Sequence, residues 1–156
     1  MSLDKWDTLF LDAADDYAKL SSCCRRQYGA IIARGKYQIS SGYNGTPEGM
    51  LNCNEGGCVR CNQENVQPGV GYESCSCIHS EENAIFTAAR MGVSIDNSVL
   101  YVNGWPCFSC LLAMKQCKIV RVVARVSEES RYAWVNEAHY HDLAKILNLE
   151  VHTKEL

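Results

Sequence analysis

The sequence predicts a single α/β domain over residues 1–156, built in three layers as a central mixed five-stranded sheet with helices on both faces. Three observations carry this. Helical and strand patterns alternate in the order α-β-β-α-β-α-β-α-β, a pattern that implies a layered sheet. A chain of 156 residues with 47% hydrophobic and 21% charged residues is large enough to bury one core without disulfide staples. No repeat, linker or shift in composition divides it.

The elements follow in order. Trp6, Leu9, Phe10, Ala13, Tyr17 and Leu20 recur at helical spacing and predict an amphipathic first helix. "YGAIIAR" and "YQISSGYN" are strand-like runs around Gly35-Lys36, a hairpin. From Gly45 to Cys77 no period survives, and the stretch is rich in Gly, Asn, Glu and Cys. A loop of that length inside a domain needs a function or a pin, and its cysteines can supply the pin. Ala84, Ile85, Ala88 and Ala89 then mark a second helix ending near Gly92. "SVLYVN" is a buried strand, and "PCFSCLLAMKQC" a third helix with Pro106 at its first position. "IVRVVARV" is a further strand, Tyr132 to Leu147 a last helix and "LEVH" an edge strand.

Composition removes several classes. A formal charge of −3 gives no broad grip on nucleic acid or membrane, although a local pocket for one phosphate stays compatible with it. No run is apolar for long enough to span a bilayer. The aspartate-rich opening "MSLDKWDTLFLDAADDYAKL" lacks the apolar region of a signal peptide. Ten cysteines with spacings such as "CVRC" and "PCFSC" therefore read as metal-bound thiolates in a reducing cytoplasm.

The chemistry concentrates in "SCSCIHSEENAIF". His79 and Glu81 open the second helix. Cys107 and Cys110 open the third, three residues apart and so on one face. Helix N-termini favour anions, which helps hold thiolates ionised. One neutral imidazole and two thiolates neutralise a zinc ion and leave its fourth tetrahedral position to water, the pattern of a catalytic rather than a structural site. Glu81, not needed as a ligand, is placed to move that water's proton. Without these partners the dull readings would be a structural Cys-x-x-Cys and a helix-start glutamate.

"HSE" followed by "PCFSC" resembles the H-x-E and P-C-x-x-C signature of zinc-dependent nucleobase deaminases. "SCCRRQYGAII", "SGYNGTPEG", "CIHSEENAIFTAAR" and "VLYVNGWPCFSC" are similar to blocks of the deoxycytidylate (dCMP) deaminase branch, in its order. The resemblance spans roughly Ser22 to Val123 and implies a cytidine-deaminase-like fold. It implies a catalytic zinc on His79, Cys107 and Cys110, Glu81 as proton shuttle, and deamination of dCMP to dUMP with release of ammonia. It also implies nucleotide contacts from Asn44, with Tyr43 either packing or facing the nucleotide. Arg90 is either a phosphate contact at a subunit boundary or a cation at a helix end.

A second, structural zinc follows from the same resemblance. Its ligands come from Cys23, Cys53 and Cys77, or from a rival set of Cys58, Cys61, Cys75 and Cys77. Cys117 reads as a buried helix cysteine, and His139 and His141 as exposed helix residues. Family members often form homo-oligomers regulated by dCTP and dTTP. "VVARVSEESRYAW" and "VNGWPC" depart from the family: Ala124, Arg125, Gly104 and Trp105 alter the expected pocket wall. The readings kept beside dCMP are a modified cytosine nucleotide, a ribonucleotide, a nucleoside, a tRNA or RNA base, and a zinc-stabilised binding module without activity.

Overall fold

A computed structural model describes residues 2–127 and 133–153. The elements are α1 (Lys5–Ala18), β1 (Gly29–Arg34), β2 (Tyr37–Tyr43), α2 (Ser80–Arg90), β3 (Val99–Val102), α3 (Phe108–Gln116), β4 (Arg121–Val126), α4 (Ala138–Ile146) and β5 (Leu149–Thr153). They form one five-stranded sheet in the order β2-β1-β3-β4-β5. β1 pairs antiparallel with both β2 and β3, while β3–β4 and β4–β5 are parallel, so the sheet is mixed as expected.

Side-chain alternation along the strands separates two cores. Ile31, Ala33, Tyr101 and Val123 face α1, where they meet Phe10, Leu11 and Ala14. Ala30, Ile32, Leu100, Val102, Val122 and Ala124 face the other way and pack with residues of α2, α3 and α4. One helix therefore covers one face and three cover the other.

The first helix is capped by Asp4, whose carboxylate accepts from the backbone N–H of Trp6 and Asp7 at 2.7 and 2.8 Å. Its buried stripe is rotated from the predicted one: Leu9 and Leu20 are exposed, while Asp7 is buried. The cause is pairing. Arg121 of β4 donates to both Asp7 carboxylate oxygens at 2.8 and 3.0 Å, and the Tyr101 hydroxyl donates to Oδ1 at 3.0 Å. The same guanidinium reaches Glu150 of β5, tying α1 to the far edge of the sheet.

Other boundaries move too. The final helix starts at Ala138, after a 3₁₀ turn at Ala133–Asn136, and Tyr132 lies outside the described residues. Pro106 is not the first helical position, because Cys107 caps α3 and the helix begins one residue later. Cys117 is the C-cap of that helix and only half-buried. The Gly45–Cys77 segment is irregular as expected, with short 3₁₀ turns at Cys53–Glu55 and Tyr72–Ser74.

Candidate active site

The N-termini of α2 and α3 meet. His79 is the N-cap of α2, and its backbone N–H donates to the Glu82 carboxylate at 3.3 Å, which gives Glu82 a capping role. Cys107 is the N-cap of α3, where its sulfur accepts from the Cys110 N–H at 3.4 Å. Both caps carry donor atoms that could hold a metal, so each helix start positions a candidate ligand as well as an end.

The result is a three-donor cluster. His79 Nδ1 lies 3.3 Å from Cys107 Sγ and 3.4 Å from Cys110 Sγ. Zinc bonds of about 2.3 Å to sulfur and 2.0 Å to nitrogen at a tetrahedral angle require donor separations near 3.6 Å, so the set fits that ion. The protons are shared accordingly. Hydrogen bonding from Cys110, reinforced by His79, takes the Cys107 thiol down to about 3, while Cys110 is pushed up by the same bond. Its contact with Cys107 raises the His79 imidazole to about 9. Metal binding at such a cluster displaces protons.

Glu81 stands on the first turn of α2 and is 4% exposed. Burial pushes its carboxyl up to about 7, opposed by the charge of His79, and the Ser80 hydroxyl donates to Oε2 at 3.0 Å. A carboxyl poised between its two forms near neutrality suits proton transfer.

His79, Glu81 and Cys107 line a cavity of about 750 Å³, with Cys110 buried behind them. Tyr28, Trp105 and Phe108 supply apolar wall, and the buried Tyr140 hydroxyl donates to the Pro106 carbonyl at 2.8 Å. Gly104 is required beside Tyr28: a Cβ there would lie 2.4 Å from the ring. Asn44 also lines the cavity, with its carboxamide already committed. Oδ1 accepts from the Tyr28 N–H at 2.7 Å and Nδ2 donates to the Arg26 carbonyl at 2.8 Å, so Asn44 holds the Arg26–Tyr28 wall in place.

Other sequence candidates lie elsewhere. Tyr43 and Arg90 do not line this cavity. Arg90, at the far end of α2, is exposed and pairs with Glu48 at 2.7 Å. Asn83 ties loops together, donating to the Tyr43 carbonyl. Ala124 is buried in the core under the sheet, and Arg125 pairs with Asp12 and Asp15 of α1. Of the four departures, only Gly104 and Trp105 touch the pocket. Residues missed from sequence are Arg26, Tyr28, Phe108, His139 and Tyr140, all on the cavity wall. The one signal for any of them was the basic pair Arg25-Arg26 ahead of β1. His139 is exposed, as expected, but stands at the wall edge-on to Phe108 with ring centroids 4.8 Å apart.

Six further cysteines gather beside the cavity. Cys23, Cys53, Cys61 and Cys77 form one group with sulfurs close enough to share an ion, and Cys58, Cys61, Cys75 and Cys77 form another.

The family model for the cytidine and deoxycytidylate deaminase zinc-binding region matches residues 4–126. The chain belongs to that family. It is 43% identical over 122 residues to a deoxycytidylate deaminase of Schizosaccharomyces pombe, covering 78% of this chain and 37% of that protein. It is 33% identical over 128 residues to the deoxycytidylate deaminase of Mycobacterium phage D29, covering 79% of this chain and 96% of that one. A deoxycytidylate deaminase of Saccharomyces cerevisiae is 39% identical over 129 residues, so the chain spans about two fifths of these two yeast relatives, 37% and 40%, and nearly all of the phage relative. Its fold is that of the dCMP deaminase of cyanophage S-TIM5, solved with dCMP and dUMP: TM-score 0.72 at 24% identity, covering 99% of this chain and 100% of that one.

Proposed function

We propose that this domain hydrolyses dCMP to dUMP and ammonia. The observation that carries the reading is the buried Glu81 carboxyl, raised towards neutrality, on the same helix turn as a three-donor metal cluster at the wall of a nucleotide-sized cavity. The deoxycytidylate deaminases among its relatives supply the substrate class.

His79, Cys107 and Cys110 are the residues that would hold zinc. When bound, zinc lowers the pKa of a coordinated water from about 15.7 towards roughly 7. Glu81 takes one proton from the attacking water and delivers it to N3 of cytosine as the C4–O bond forms. It carries the second proton to the exocyclic amino group as the C4–N bond breaks, and ammonia leaves. The backbone N–H of Cys107 is a donor for the reacting centre. Tyr28, Trp105 and Phe108 exclude water around the base.

The 5′-phosphate is assigned to Arg26 in place of Arg90. Arg26 is an exposed guanidinium on the cavity wall whose Nη1 donates to the hydroxyl of Tyr28, itself a wall residue, at 3.4 Å, whereas Arg25 and Arg60 point to backbone carbonyls of the cysteine-rich loop: Arg25 to Cys61 and Gln63, Arg60 to Val70 and Gln67. Asn44 acts by holding that wall. Arg90 and Tyr43 would meet nucleotide only across a boundary with a second copy. Such a homo-oligomer is supported by Phe86, exposed on α2, and by Met91, exposed at the C-cap of that helix. Among the described residues no helix is long and apolar enough to cross a membrane.

The test is ammonia release over cytosine nucleosides, nucleotides and tRNA. Highest kcat/KM on dCMP is expected. Release from tRNA alone would replace the nucleotide reading, and no release from any substrate by zinc-loaded protein would leave a binding module.

A further inference from the structure

We infer that the cysteine-rich loop holds two zinc ions in one six-thiolate centre, with Cys61 and Cys77 bridging both ions. Cys23 and Cys53 complete the first tetrahedron, and Cys58 and Cys75 complete the second. The inference stands apart from the catalytic reading, because it uses none of His79, Glu81, Cys107 or Cys110.

The two candidate sets are not rivals in space. Each is a complete group of four thiols whose sulfurs all lie within 4.8 Å of one another, and the groups overlap in Cys61 and Cys77. Two four-ligand sets that share two ligands are the geometry of two edge-sharing tetrahedra. The spacings agree with it. A tetrahedral ion with zinc–sulfur bonds of about 2.3 Å sets neighbouring sulfurs about 3.8 Å apart. Cys58 and Cys75 are 3.7 Å apart, Cys61 and Cys75 3.9 Å, and Cys23 and Cys61 4.0 Å.

Burial and charge favour two ions over one. Cys53 and Cys58 are fully buried and Cys61 nearly so. One ion on the first set would leave the buried Cys58 and the half-buried Cys75 as thiols pressed against its ligands, and one ion on the second would leave the buried Cys23 and Cys53. A lone dication with four thiolates carries a net charge of −2. Adding a second dication together with the remaining two thiolates leaves that charge unchanged, so the larger centre converts every thiol to a ligand at no cost in net charge. Ionised sulfurs also have donors at hand, since the Ser76 N–H reaches Cys58 Sγ at 3.3 Å. Arg25 clamps the same loop, its Nε donating to the Cys61 carbonyl at 2.6 Å.

The placement gives the centre a structural task. It joins the segment after α1, through Cys23, to both ends of the irregular loop. Cys77 lies two residues before the metal-binding His79, so the centre anchors the approach to α2. Cys24 marks the limit of the centre: its sulfur is 3.8 Å from Cys53 but it is exposed and belongs to neither set.

The experiment is metal counting by native mass spectrometry and elemental analysis on the purified chain, with X-ray absorption on the zinc edge. Three ions per chain are expected, falling to two in His79→Ala, which keeps the loop centre and separates this claim from the catalytic one. Cys58→Ser and Cys53→Ser should each remove one loop ion, and Cys24→Ser none. Where a cysteine variant fails to fold, the absorption spectrum of the unmodified chain decides. Edge-shared tetrahedra put a metal–metal scatterer at about 3 Å. A single loop ion in the unmodified chain, or no metal–metal scatterer, would overturn the inference, as would loss of an ion on removing Cys24.

Discussion

Gly42 of β2 and Ser80 of α2 approach so closely that a Cβ on Gly42 would lie 2.4 Å from the Ser80 carbonyl oxygen, and as near to the Ala84 nitrogen. The first turn of α2 carries Glu81 and is capped by His79, so the missing side chain at Gly42 sets how deeply both sit over the sheet. The glycine that opens "GYNG" is thus a spacer for the helix that carries Glu81.

The nearest atoms to a Cβ in Gly42→Ala are all backbone of α2, at Ser80, Asn83 and Ala84, and none of them can swing away as a side chain would. Overpacking of this kind costs about 1–3 kcal/mol. A displacement of α2 by a fraction of an ångström should also lower turnover by roughly 10- to 100-fold, because reacting groups tolerate little misplacement. Thermal unfolding and ammonia release check both. Unchanged stability and turnover would remove the spacer role.

Much of this arrangement was legible in sequence, because local rules carried it. Metal-ligand spacing marked His79, Cys107 and Cys110, and strand runs marked the sheet. Failures came from non-local pairing. The rotated stripe of α1 depends on Asp7 meeting Arg121, 114 residues away, and Arg125 left the pocket wall because Asp12 and Asp15 draw it to the opposite face. Pro106 gave way as helix start because the Cys107 sulfur caps better than the pattern alone suggests. In one dimension the two cysteine sets compete for Cys77; only their spatial overlap shows that they can act together.

The Asp7–Arg121–Glu150 cluster predicts an acid limit to stability. Hydrogen bonding from Arg121 holds both carboxyls below their ordinary values, with Tyr101 also donating to Asp7. Groups with lowered folded-state pKa stabilise fully above their unfolded values, about 3.9 and 4.3, and lose that contribution as pH falls through the folded ones. Asp7→Asn should cost about 2 kcal/mol at pH 7, less than the roughly 3–5 kcal/mol of a fully buried pair because Arg121 is partly exposed. Urea titrations should show that difference shrinking towards pH 2. A cost independent of pH would contradict the linkage.

Arg26 should carry the preference for a 5′-phosphate. A charge-assisted hydrogen bond contributes roughly 1.5–3 kcal/mol, or about 10- to 150-fold in kcat/KM. Arg26→Ala should lose that factor on dCMP and little on deoxycytidine, while Arg90→Ala retains it in the monomer. Loss of preference only in Arg90→Ala would move the phosphate to a pocket shared between copies.

The central claim is that Glu81 moves protons and holds no metal, and Glu81→Gln tests it most directly. The substitution keeps size and leaves His79, Cys107 and Cys110 intact. Ammonia release from dCMP and zinc content should be measured on the same preparations. General acid–base groups contribute roughly 10²–10⁴-fold, and Glu81 serves two transfers, so turnover should fall by about 10⁴-fold with zinc content unchanged. Near wild-type turnover at full zinc occupancy, or loss of zinc in step with activity, would contradict the account.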